Sequence, residues 1–555
     1  MHKHFKPKRH ILVLGLLAAV SIIWLIVRTG RKPTRINYPC QRAALTNVHF
    51  FLLALVAPVL GFTRVPSVKT FSRAINSKLI KVVLLMCMLL FTLGCAFNWT
   101  SSTQYTVVPV PLELKPQRAL TSLGSSDLYF IENASGAYGS MDMAMSRLLE
   151  LMGNHSLFFF RTASEPSGLI GKEDVVIIKV NCQWNARGGT NTDLVKSIIK
   201  KIVAHPEGFV GEIVVADNGQ GIGSLDWGDS NAFNHSQSLT DVVNQFSSFK
   251  VSTYLWDSIR SKAVNEYDQG DYEDGYVVNS TENPVTHLRL SYPKFTSQYN
   301  TSISFKEGVW DSHTQSYSRE RLKVINVPVL KSHGNYGVTA CVKHYMGVVS
   351  QLLSSTHSAI RYGALGEEMS GTTFPTLNIL DAIWVNANPR ESGSDYGPST
   401  SYAAASFTNV IGASQDPVAL EYWASKYILI PAAISRNHPT YSSLDPDYEP
   451  ITPGLVESYH TYLEKSMIEL ENAGFQVTMT EAEMNVHVAQ SSPPEILGDI
   501  DGDHDVDIYD IVLIASSYGT EAGDPRYDVR CDLDGDEDVD IFDVVIAADN
   551  YGKSW

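Results

Sequence analysis

The sequence predicts an α/β protein whose mixed, mainly parallel sheet is flanked by helices, preceded by N-terminal transmembrane helices and followed by a small all-α module. Three observations predict this architecture. The first 100 residues contain long apolar runs. Within residues 174–216, two apolar runs of strand length enclose an amphipathic helix, which is the pattern of a β-α-β unit. After residue 497, a segment of acidic residues followed by an apolar helix occurs twice.

Charge is distributed unevenly along the 555 residues, whose net charge is −16. Residues 1–100 contain fourteen Lys and Arg and no Asp or Glu, whereas residues 495–555 contain eighteen acidic and three basic residues. A protein that binds nucleic acid needs clustered Lys and Arg on its folded part to neutralise phosphates. The acidic balance beyond the N-terminal segment therefore argues against nucleic acid as a partner.

Residues 1–100 are expected to anchor the protein in a lipid membrane. Their apolar runs lie at 11–27, 50–62 and 79–97. Three spans satisfy this pattern, one span plus a hairpin that dips into the membrane satisfies it also, and a cleaved signal competes for any single run. Lys and Arg crowd before and between the runs, so the positive-inside rule places the N-terminus in the cytoplasm. A polar stalk is predicted at 101–119.

The remaining chain is expected outside the cytoplasm, as in a multi-pass protein of the cell membrane with its large domain and C-terminus outside. We place an α/β domain at 120–487, a linker at 488–496 and the all-α module at 497–555. Glycosylation motifs of the form N-x-S/T favour this placement, because all of them follow the apolar runs. They begin at Asn98, Asn133, Asn154, Asn234, Asn279 and Asn300.

The clearest β-α-β unit begins at 174–180, an apolar run typical of a buried parallel strand. A Gly-rich loop leads to a helix capped near Asn191 or Thr192, and a second strand at 210–216 ends at Asp217. Ligands bind beyond the carboxyl ends of parallel strands, and a helix N-terminus favours anions. The residues predicted at that edge are Lys179, Asn181, the 188–191 loop, Asp217 and Asn218.

A second cluster follows the strand predicted at 322–330, where Lys331 and His333 stand at the strand end. A helix is predicted to begin near Val338, and it would place Thr339, Lys343 and Gly347 on one face. Two lysines and a histidine at such a junction predict an anion or carboxylate site, in which a lysine of lowered pKa acts as base or nucleophile. In the alternative interpretation, both lysines are solvated surface charges and the histidine is a hydrogen-bonded loop residue.

Two later strands are predicted at 376–382 and 408–414, and they end near Asp381 and Asp416. Asp416 is expected to cap the helix that follows it, and Glu421 on that helix is expected at the surface. Residues 226–320 are interpreted as a long polar insertion with strands at 250–255 and 287–291.

None of the six cysteines forms a C-x-x-C motif, which argues against an iron–sulfur cluster or a zinc site built from cysteine pairs. Cys182 and Cys341 either pair as a disulfide or remain two buried free thiols.

Several motifs of the α/β domain together resemble the domain of unknown function 362 family. They are IIKVN at 177–181, TNTDLV at 190–195, VPVLKSH with GVTACVKHYMG between 327 and 347, LNILDA at 377–382, and ASQDPVAL at 413–420. The resemblance implies an α/β fold and no particular reaction. Many members of that family carry ferredoxin-like modules, and this chain has no matching cysteine clusters.

The duplicated C-terminal segment has the residue spacing of a twelve-residue calcium loop. Acidic residues occupy loop positions 1, 3, 5, 9 and 12, and position 7 would offer its backbone carbonyl. Calcium is a hard cation that takes six to eight oxygen ligands, so two Ca²⁺ ions are predicted. The ligand residues are Asp499, Asp501, Asp503, Asp505, Asp507 and Asp510 in the first loop, and Asp532, Asp534, Asp536, Asp538, Asp540 and Asp543 in the second.

The duplicated loop and helix resemble a type I dockerin, which implies docking to a cohesin-domain partner. Helices are predicted at 509–516 and 542–549, and Val506 and Val539 are expected to pair the two loops through a short strand. Position 6, normally Gly, is His504 or Glu537, so the second loop is expected to be strained. The family's partner-reading positions are apolar, which predicts an apolar patch on the partner. They are Ile508, Tyr509, Ile541 and Phe542.

These features predict a membrane-anchored protein with an outward α/β domain that binds or transforms an anionic small molecule or glycan. The candidate catalytic residues are Lys331, His333, Lys343 and Asp217, with Asp381 or Asp416 as a further base or metal ligand. Whether the domain holds a metal, and whether it is an enzyme, stays open at this point. The alternatives are a non-catalytic assembly or adhesion protein and a component of polysaccharide degradation. For polysaccharide degradation, the sequence shows neither the well-spaced pair of acidic residues of a glycosidase nor the G-x-S-x-G motif of an α/β-hydrolase.

Overall fold

The computed structural model describes residues 110–112, 114–120, 125–134, 138–354, 356–391, 395–449, 459–491, 497–501, 505–534 and 536–553. The predicted membrane segment at 1–100 and half of the predicted stalk lie outside these residues. Within the described ranges, no helix is both long and apolar enough to cross a bilayer.

The strands and helices are numbered along the chain. The strands are β1 (Ser126–Glu132), β2 (Phe160–Arg161), β3 (Ile170–Gly171), β4 (Val175–Lys179), β5 (Glu212–Asp217), β6 (Val251–Leu255), β7 (Ala263–Val264), β8 (Gly275–Val278), β9 (Ser291–Thr296), β10 (Ser302–Ser304), β11 (Gly308–Asp311), β12 (Ser316–Ser318), β13 (Leu322–Asn326), β14 (Val329–His333), β15 (Gly337–Thr339), β16 (Leu377–Asn386), β17 (Ser406–Ser414), β18 (Met484–Gln490), β19 (Thr520–Glu521) and β20 (Asp538–Val539). The α-helices are α1 (Tyr138–Asn154), α2 (Thr192–Val203), α3 (Leu239–Asn244), α4 (Thr356–Ala359), α5 (Ala364–Gly371), α6 (Pro417–Ala424), α7 (Ile430–Ser435), α8 (Tyr459–Asn472), α9 (Ile508–Ser517) and α10 (Ile541–Asn550).

The main sheet confirms the predicted mixed, mainly parallel architecture. Its strand order is β18-β1-β17-β16-β13-β4-β5-β6, and β17 runs antiparallel to both of its neighbours while the other pairs are parallel. Successive residues of a strand face opposite sides of the sheet. Val175 and Ile177 accordingly pack with α5, α6 and α8 on one side, and Val176 and Ile178 pack with α1, α2 and α3 on the other.

The β-α-β unit follows the sequence prediction closely. Strand β4, helix α2 and strand β5 occupy the predicted positions, and β4 pairs with β5 in parallel. The Asn191 side chain caps α2 by accepting hydrogen bonds from the amides of Asp193 and Leu194. Because β4 lies between β5 and β13, the carboxyl ends of the three strands meet at one edge of the sheet.

The insertion contains a separate sheet of strands β7 to β12, and β6 is an edge strand of the main sheet. The strand predicted at 250–255 is therefore confirmed. The strand predicted at 287–291 is wrong, because His287 has a φ of 57°, which breaks extended backbone, and β9 begins only at Ser291.

Two predictions around residue 330 are wrong. The single strand predicted at 322–330 is divided into β13 and β14, since Pro328 between them has no amide hydrogen for a strand ladder. The helix predicted from Val338 is instead β15, which forms a hairpin with β14, followed by a short 3₁₀ helix at Lys343–Gly347. Gly337 adopts a φ of 74° at the start of β15, a conformation suited to the hairpin turn.

The C-terminal module contains helices α9 and α10, as predicted, around a small core of Ile500, Ile514, Cys531, Val539 and Ala547. The predicted pairing of Val506 with Val539 is wrong. Val539 pairs with Thr520, and Val506 exchanges hydrogen bonds with Gly552 and Lys553. Each loop therefore pairs with the segment that follows the other repeat's helix. Glu537 has a φ of 72°, which agrees with the strain expected at position 6.

Candidate functional site

A polar cavity of about 180 Å³ lies at the carboxyl ends of β4 and β5. The β14–β15 hairpin and the 3₁₀ helix at 343–347 form its other walls. This is the edge at which parallel sheets bind ligands. The lining includes Lys179, Asn181, Asp217, His333, Thr339, Lys343, His344, Gln351 and His357.

Lys179 and Asp217 form a buried ion pair in the cavity wall. Lys179 Nζ donates to Asp217 Oδ1 at 2.7 Å and to the Val180 carbonyl at 3.1 Å, and Asp217 Oδ2 accepts from the Cys182 amide at 2.8 Å. Burial lowers the pKa of Lys179, and the adjacent carboxylate works in the opposite direction. A side chain at Gly347 would overlap both charged groups, so this position requires glycine.

Lys343 and Lys331 are buried in different surroundings. Lys343 lines the cavity with its Nζ 5.2 Å from the centre of the Tyr336 ring, and burial lowers its pKa to about 8 although Glu421 opposes the shift. Lys331 Nζ donates to the Gly188 carbonyl. Burial, and to a smaller extent the charge of Lys343, lowers the pKa of Lys331 to about 7. Lys331 is fully buried and is not one of the described lining residues.

The cavity histidines are neutral at pH 7. Burial, reinforced by neighbouring lysines, lowers the pKa of His333 and of His344, and desolvation with the Lys343 charge lowers that of His357 to about 4. The His333 Nδ1 accepts from the Asn335 amide at 3.1 Å, which leaves its proton on Nε2. Among the described lining residues there are therefore two ammonium groups, of Lys179 and Lys343, and one carboxylate, of Asp217.

A relay of amides fixes the His344 tautomer. Asn326 Nδ2 donates to the Cys341 carbonyl and to Asn378 Oδ1, so its Oδ1 is the acceptor that faces His344 Nδ1 at 2.6 Å. Asn378 Nδ2 donates in turn to the Ser414 carbonyl. Because Nδ1 carries the proton, His344 Nε2 presents a lone pair.

Four buried polar atoms around this cavity make no hydrogen bond to any residue that the structure describes. They are Asn181 Oδ1, Thr339 Oγ1, His344 Nε2 and Gln351 Nε2. Buried polar atoms are normally paired, since an unpaired one costs about 1–3 kcal/mol. All four residues line the same cavity, so these donors and acceptors are available to a molecule bound there, water included.

A comparison with known protein families matches the segment that runs from strand β9 to just beyond helix α6. Residues 291–426 match the family described as Domain of unknown function (DUF362). The match supports the resemblance of the α/β domain to that family. Comparisons with curated proteins and with solved structures found no match.

The DUF362 segment, 291–426, supplies only part of the cavity. His333, Lys343 and His344 belong to it, whereas Lys179 and Asp217 come from β4 and β5, which precede it. Of the four predicted catalytic residues, Asp217, His333 and Lys343 line one cavity, and Lys331 is buried outside the described lining. Their catalytic roles stay predictions.

The structure gives the hydrogen-bond partners of the three other carboxyl groups that the sequence singled out. Asp381 accepts from the Asn191 amide at 2.8 Å, and burial raises its pKa to about 6. Asp416 caps α6 as predicted, through the amides of Val418 and Ala419. The surface position predicted for Glu421 is wrong: it is fully buried, accepts from the Val342 amide and Tyr462, and has its pKa raised to about 7 by burial.

Sequence reasoning missed His344, Gln351 and His357. His344 stands inside the predicted helix and the GVTACVKHYMG motif but was not singled out, whereas Gln351 and His357 follow that segment and no motif marks them. Cys182 and Cys341 are buried free thiols, so the free-thiol alternative is the one that the structure shows.

In the C-terminal module, the predicted ligand residues form four groups whose oxygens lie within 4.8 Å of one another. The loop-ending Asp510 and Asp543 also accept hydrogen bonds from the backbone of their own loops. Asp503 lies outside the described residues. The groups are Asp499, Asp501 and Asp510; Asp505, Asp507 and Asp510; Asp532, Asp534 and Asp536; and Asp538, Asp540 and Asp543.

Proposed function

We propose that the α/β domain binds an anionic small molecule in the cavity at the carboxyl ends of β4 and β5. The observation that carries the proposal is the set of four unpaired buried polar atoms on one cavity, beside the Lys343 ammonium group, which forms no ion pair with any residue that the structure describes. A ligand that pairs these atoms would recover the free energy that their desolvation costs.

The charge of the lining favours an anion. Asp217 balances Lys179 at 2.7 Å, and the three histidines are neutral. Lys343 forms no ion pair with any residue that the structure describes, although the buried Glu421 acts on its charge, so its ammonium group is available to the ligand. Lys343 and the amide nitrogen of Gln351 are suited to an anionic group, and His344 Nε2 and Asn181 Oδ1 are suited to a ligand hydroxyl. A lysine of lowered pKa beside these groups would supply acid–base or nucleophilic chemistry.

Isothermal titration of the full-length protein with phosphate, sulfate and small hydroxy- and oxo-carboxylates tests this proposal. The Lys343→Met variant is expected to weaken binding at least about tenfold, the effect of losing one charged hydrogen bond. Lys262→Met is the matched control, since Lys262 pairs with Glu273 on the surface. Absence of binding for every anion, or equal affinity in both variants, would contradict the proposal.

We propose further that the C-terminal module binds two calcium ions. The support is the loop spacing, which repeats at an interval of 33 residues, together with the four groups of carboxylates. Calcium is expected to raise the thermal stability of the module in the full-length protein. Asp510→Ala and Asp543→Ala should each remove about one equivalent of bound calcium. Unchanged calcium content in both variants would overturn the assignment.

The same module is proposed to dock to a cohesin-type partner. Each helix exposes three apolar side chains at equivalent positions, and exposed apolar patches of this kind mark interaction surfaces. Biosensor binding to a panel of cohesin domains tests docking, with Tyr509→Ser and Phe542→Ser combined as the disrupting variant. Binding that survives both this variant and chelation of calcium would refute it. The exposed residues are Ile508, Tyr509 and Val512 on α9, and Ile541, Phe542 and Val545 on α10.

The apolar runs at 11–27, 50–62 and 79–97 are proposed to anchor the protein in the lipid of the cell membrane as three spans, which places the large domain outside. Protease added to intact cells is expected to digest the α/β domain. Full protection in intact cells, with digestion only after lysis, would contradict the topology.

A further inference from the structure

We infer that the ε-amino group of Lys343 forms an imine with the carbonyl carbon of an oxo acid bound in the cavity. The inference rests on the proposed function and deepens it, because it names the class of anion that the cavity takes. It starts from a difference in hydrogen bonding between Lys343 and the two lysines near it.

Lys179 and Lys331 each have acceptors for their ammonium hydrogens. Lys179 Nζ donates to Asp217 and Val180, and Lys331 Nζ donates to the Gly188 carbonyl. Lys343 Nζ has no hydrogen bond or ion pair to any residue that the structure describes, and it faces the Tyr336 ring. An ammonium group has three hydrogens to donate, so burial without acceptors favours the neutral amine, whose lone pair is a nucleophile.

The groups around Lys343 keep both protonation states accessible. Burial lowers the pKa of Lys343 to about 8, Glu421 opposes this shift, and His333 and His357 are neutral neighbours. Roughly a tenth of the lysine is then the free amine at pH 7, compared with less than a thousandth for an ordinary surface lysine. The ammonium form attracts the acid, and the amine form attacks its carbonyl carbon.

The chemistry needs no further reactant. The nitrogen lone pair forms a C–N bond to the carbonyl carbon, and the carbonyl oxygen is converted to the hydroxyl of a carbinolamine. That oxygen then leaves as water with both amine hydrogens, and the nitrogen completes the C=N bond. The lone pair of His344 Nε2 and the Asn181 Oδ1 are suited to accept from the carbinolamine hydroxyl, while Gln351 Nε2 and Thr339 Oγ1 are suited to donate to the carboxylate.

Reductive trapping of the full-length protein tests the inference. The protein is incubated with pyruvate or glyoxylate and cyanoborohydride, which reduces an imine to a stable amine, and the modified lysine is located by peptide mass spectrometry. We expect labelling of Lys343 at least about tenfold above that of surface lysines such as Lys262, with a rate that rises through pH 8. Lys343→Arg, which keeps the charge and cannot form the adduct, is expected to lose this label alone.

The outcomes separate the inference from the proposed function. Labelling spread evenly over surface lysines, or unchanged total labelling in Lys343→Arg, would overturn the imine while calorimetric binding of anions could persist. Loss of all anion binding by the wild type would instead overturn the proposed function. A thermal melt of Lys343→Arg that matches the wild type shows that loss of label does not come from unfolding, and lactate, which has no carbonyl at the reacting carbon, serves as the unlabelled control.

Discussion

Replacing Lys179 with methionine is expected to destabilise the α/β domain by about 3–5 kcal/mol. Its Nζ lies 2.7 Å from Asp217 Oδ1, and the two side chains are 0% and 3% exposed. At that distance and an effective dielectric constant of about 20, the Coulomb attraction is roughly 6 kcal/mol, part of which offsets the desolvation of both charges. Without the lysine, Asp217 is left as an uncompensated buried carboxylate.

A second ion pair with the same separation provides the control. Lys262 Nζ lies 2.7 Å from Glu273, but these side chains are 47% and 71% exposed. Lys262→Met should therefore cost less than about 1 kcal/mol, because water screens an exposed pair. The double variant Lys179→Met/Asp217→Asn removes both buried charges and is expected to recover much of the loss.

The assay is denaturant unfolding of the full-length protein followed by tryptophan fluorescence, with the midpoint of the α/β transition compared between variants. Equal small shifts of the unfolding midpoint in Lys179→Met and Lys262→Met would show that burial does not make the Lys179–Asp217 pair more important for stability than the exposed pair. A double variant as unstable as the sum of its single changes would refute the coupling between the two charges.

Three further predictions follow from other contacts. Gly347→Ala should separate Lys179 from Asp217, because its methyl group overlaps both, and should weaken anion binding measured by calorimetry at least about tenfold. Glu537→Gly should relieve the left-handed backbone and raise calcium-loaded stability by roughly 0.5–1 kcal/mol in thermal melts. Glu421→Gln should make the free energy of unfolding less dependent on pH between pH 5 and 7. Burial holds the folded pKa of Glu421 near 7, so this side chain ionises first in the unfolded chain, and the wild type loses stability as pH rises through this window.

Each of these three predictions has a contradicting result. Unchanged affinity in Gly347→Ala would show that the cavity tolerates a separated ion pair. A less stable Glu537→Gly would show that backbone strain at this position is outweighed by the flexibility of glycine in the unfolded chain. A Glu421→Gln variant with the same pH slope as the wild type would assign that slope to other buried acids, such as Asp381 and Asp416.

The β-α-β unit could be predicted because its signals are local. The apolar run of β4 and the Asn191 cap act within a few residues of the elements that they define, and the strand-end rule then identified Lys179, Asn181 and Asp217. The Asp416 cap is equally local, since its side chain binds amides two and three residues ahead.

The features that were missed depend on contacts distant in sequence. Glu421 is buried because Tyr462, 41 residues away, donates to its carboxyl group. Strand β15 forms because Thr339 pairs with Lys331 in a hairpin, a choice that the apolar pattern after Val338 does not distinguish from a helix. The separate pairing of Val506 and Val539 likewise depends on where the other repeat's helix ends.

The central claim is that the cavity holds an anionic ligand against Lys343. The most direct measurement is an experimental structure of the full-length protein with the tightest-binding carboxylate found by calorimetry. The carboxylate is expected within hydrogen-bond distance of Gln351 Nε2 or Thr339 Oγ1, with Lys343 Nζ next to the ligand carbon that bears the carboxylate. Binding of that ligand elsewhere on the protein, with these atoms hydrogen-bonded only to water, would contradict it.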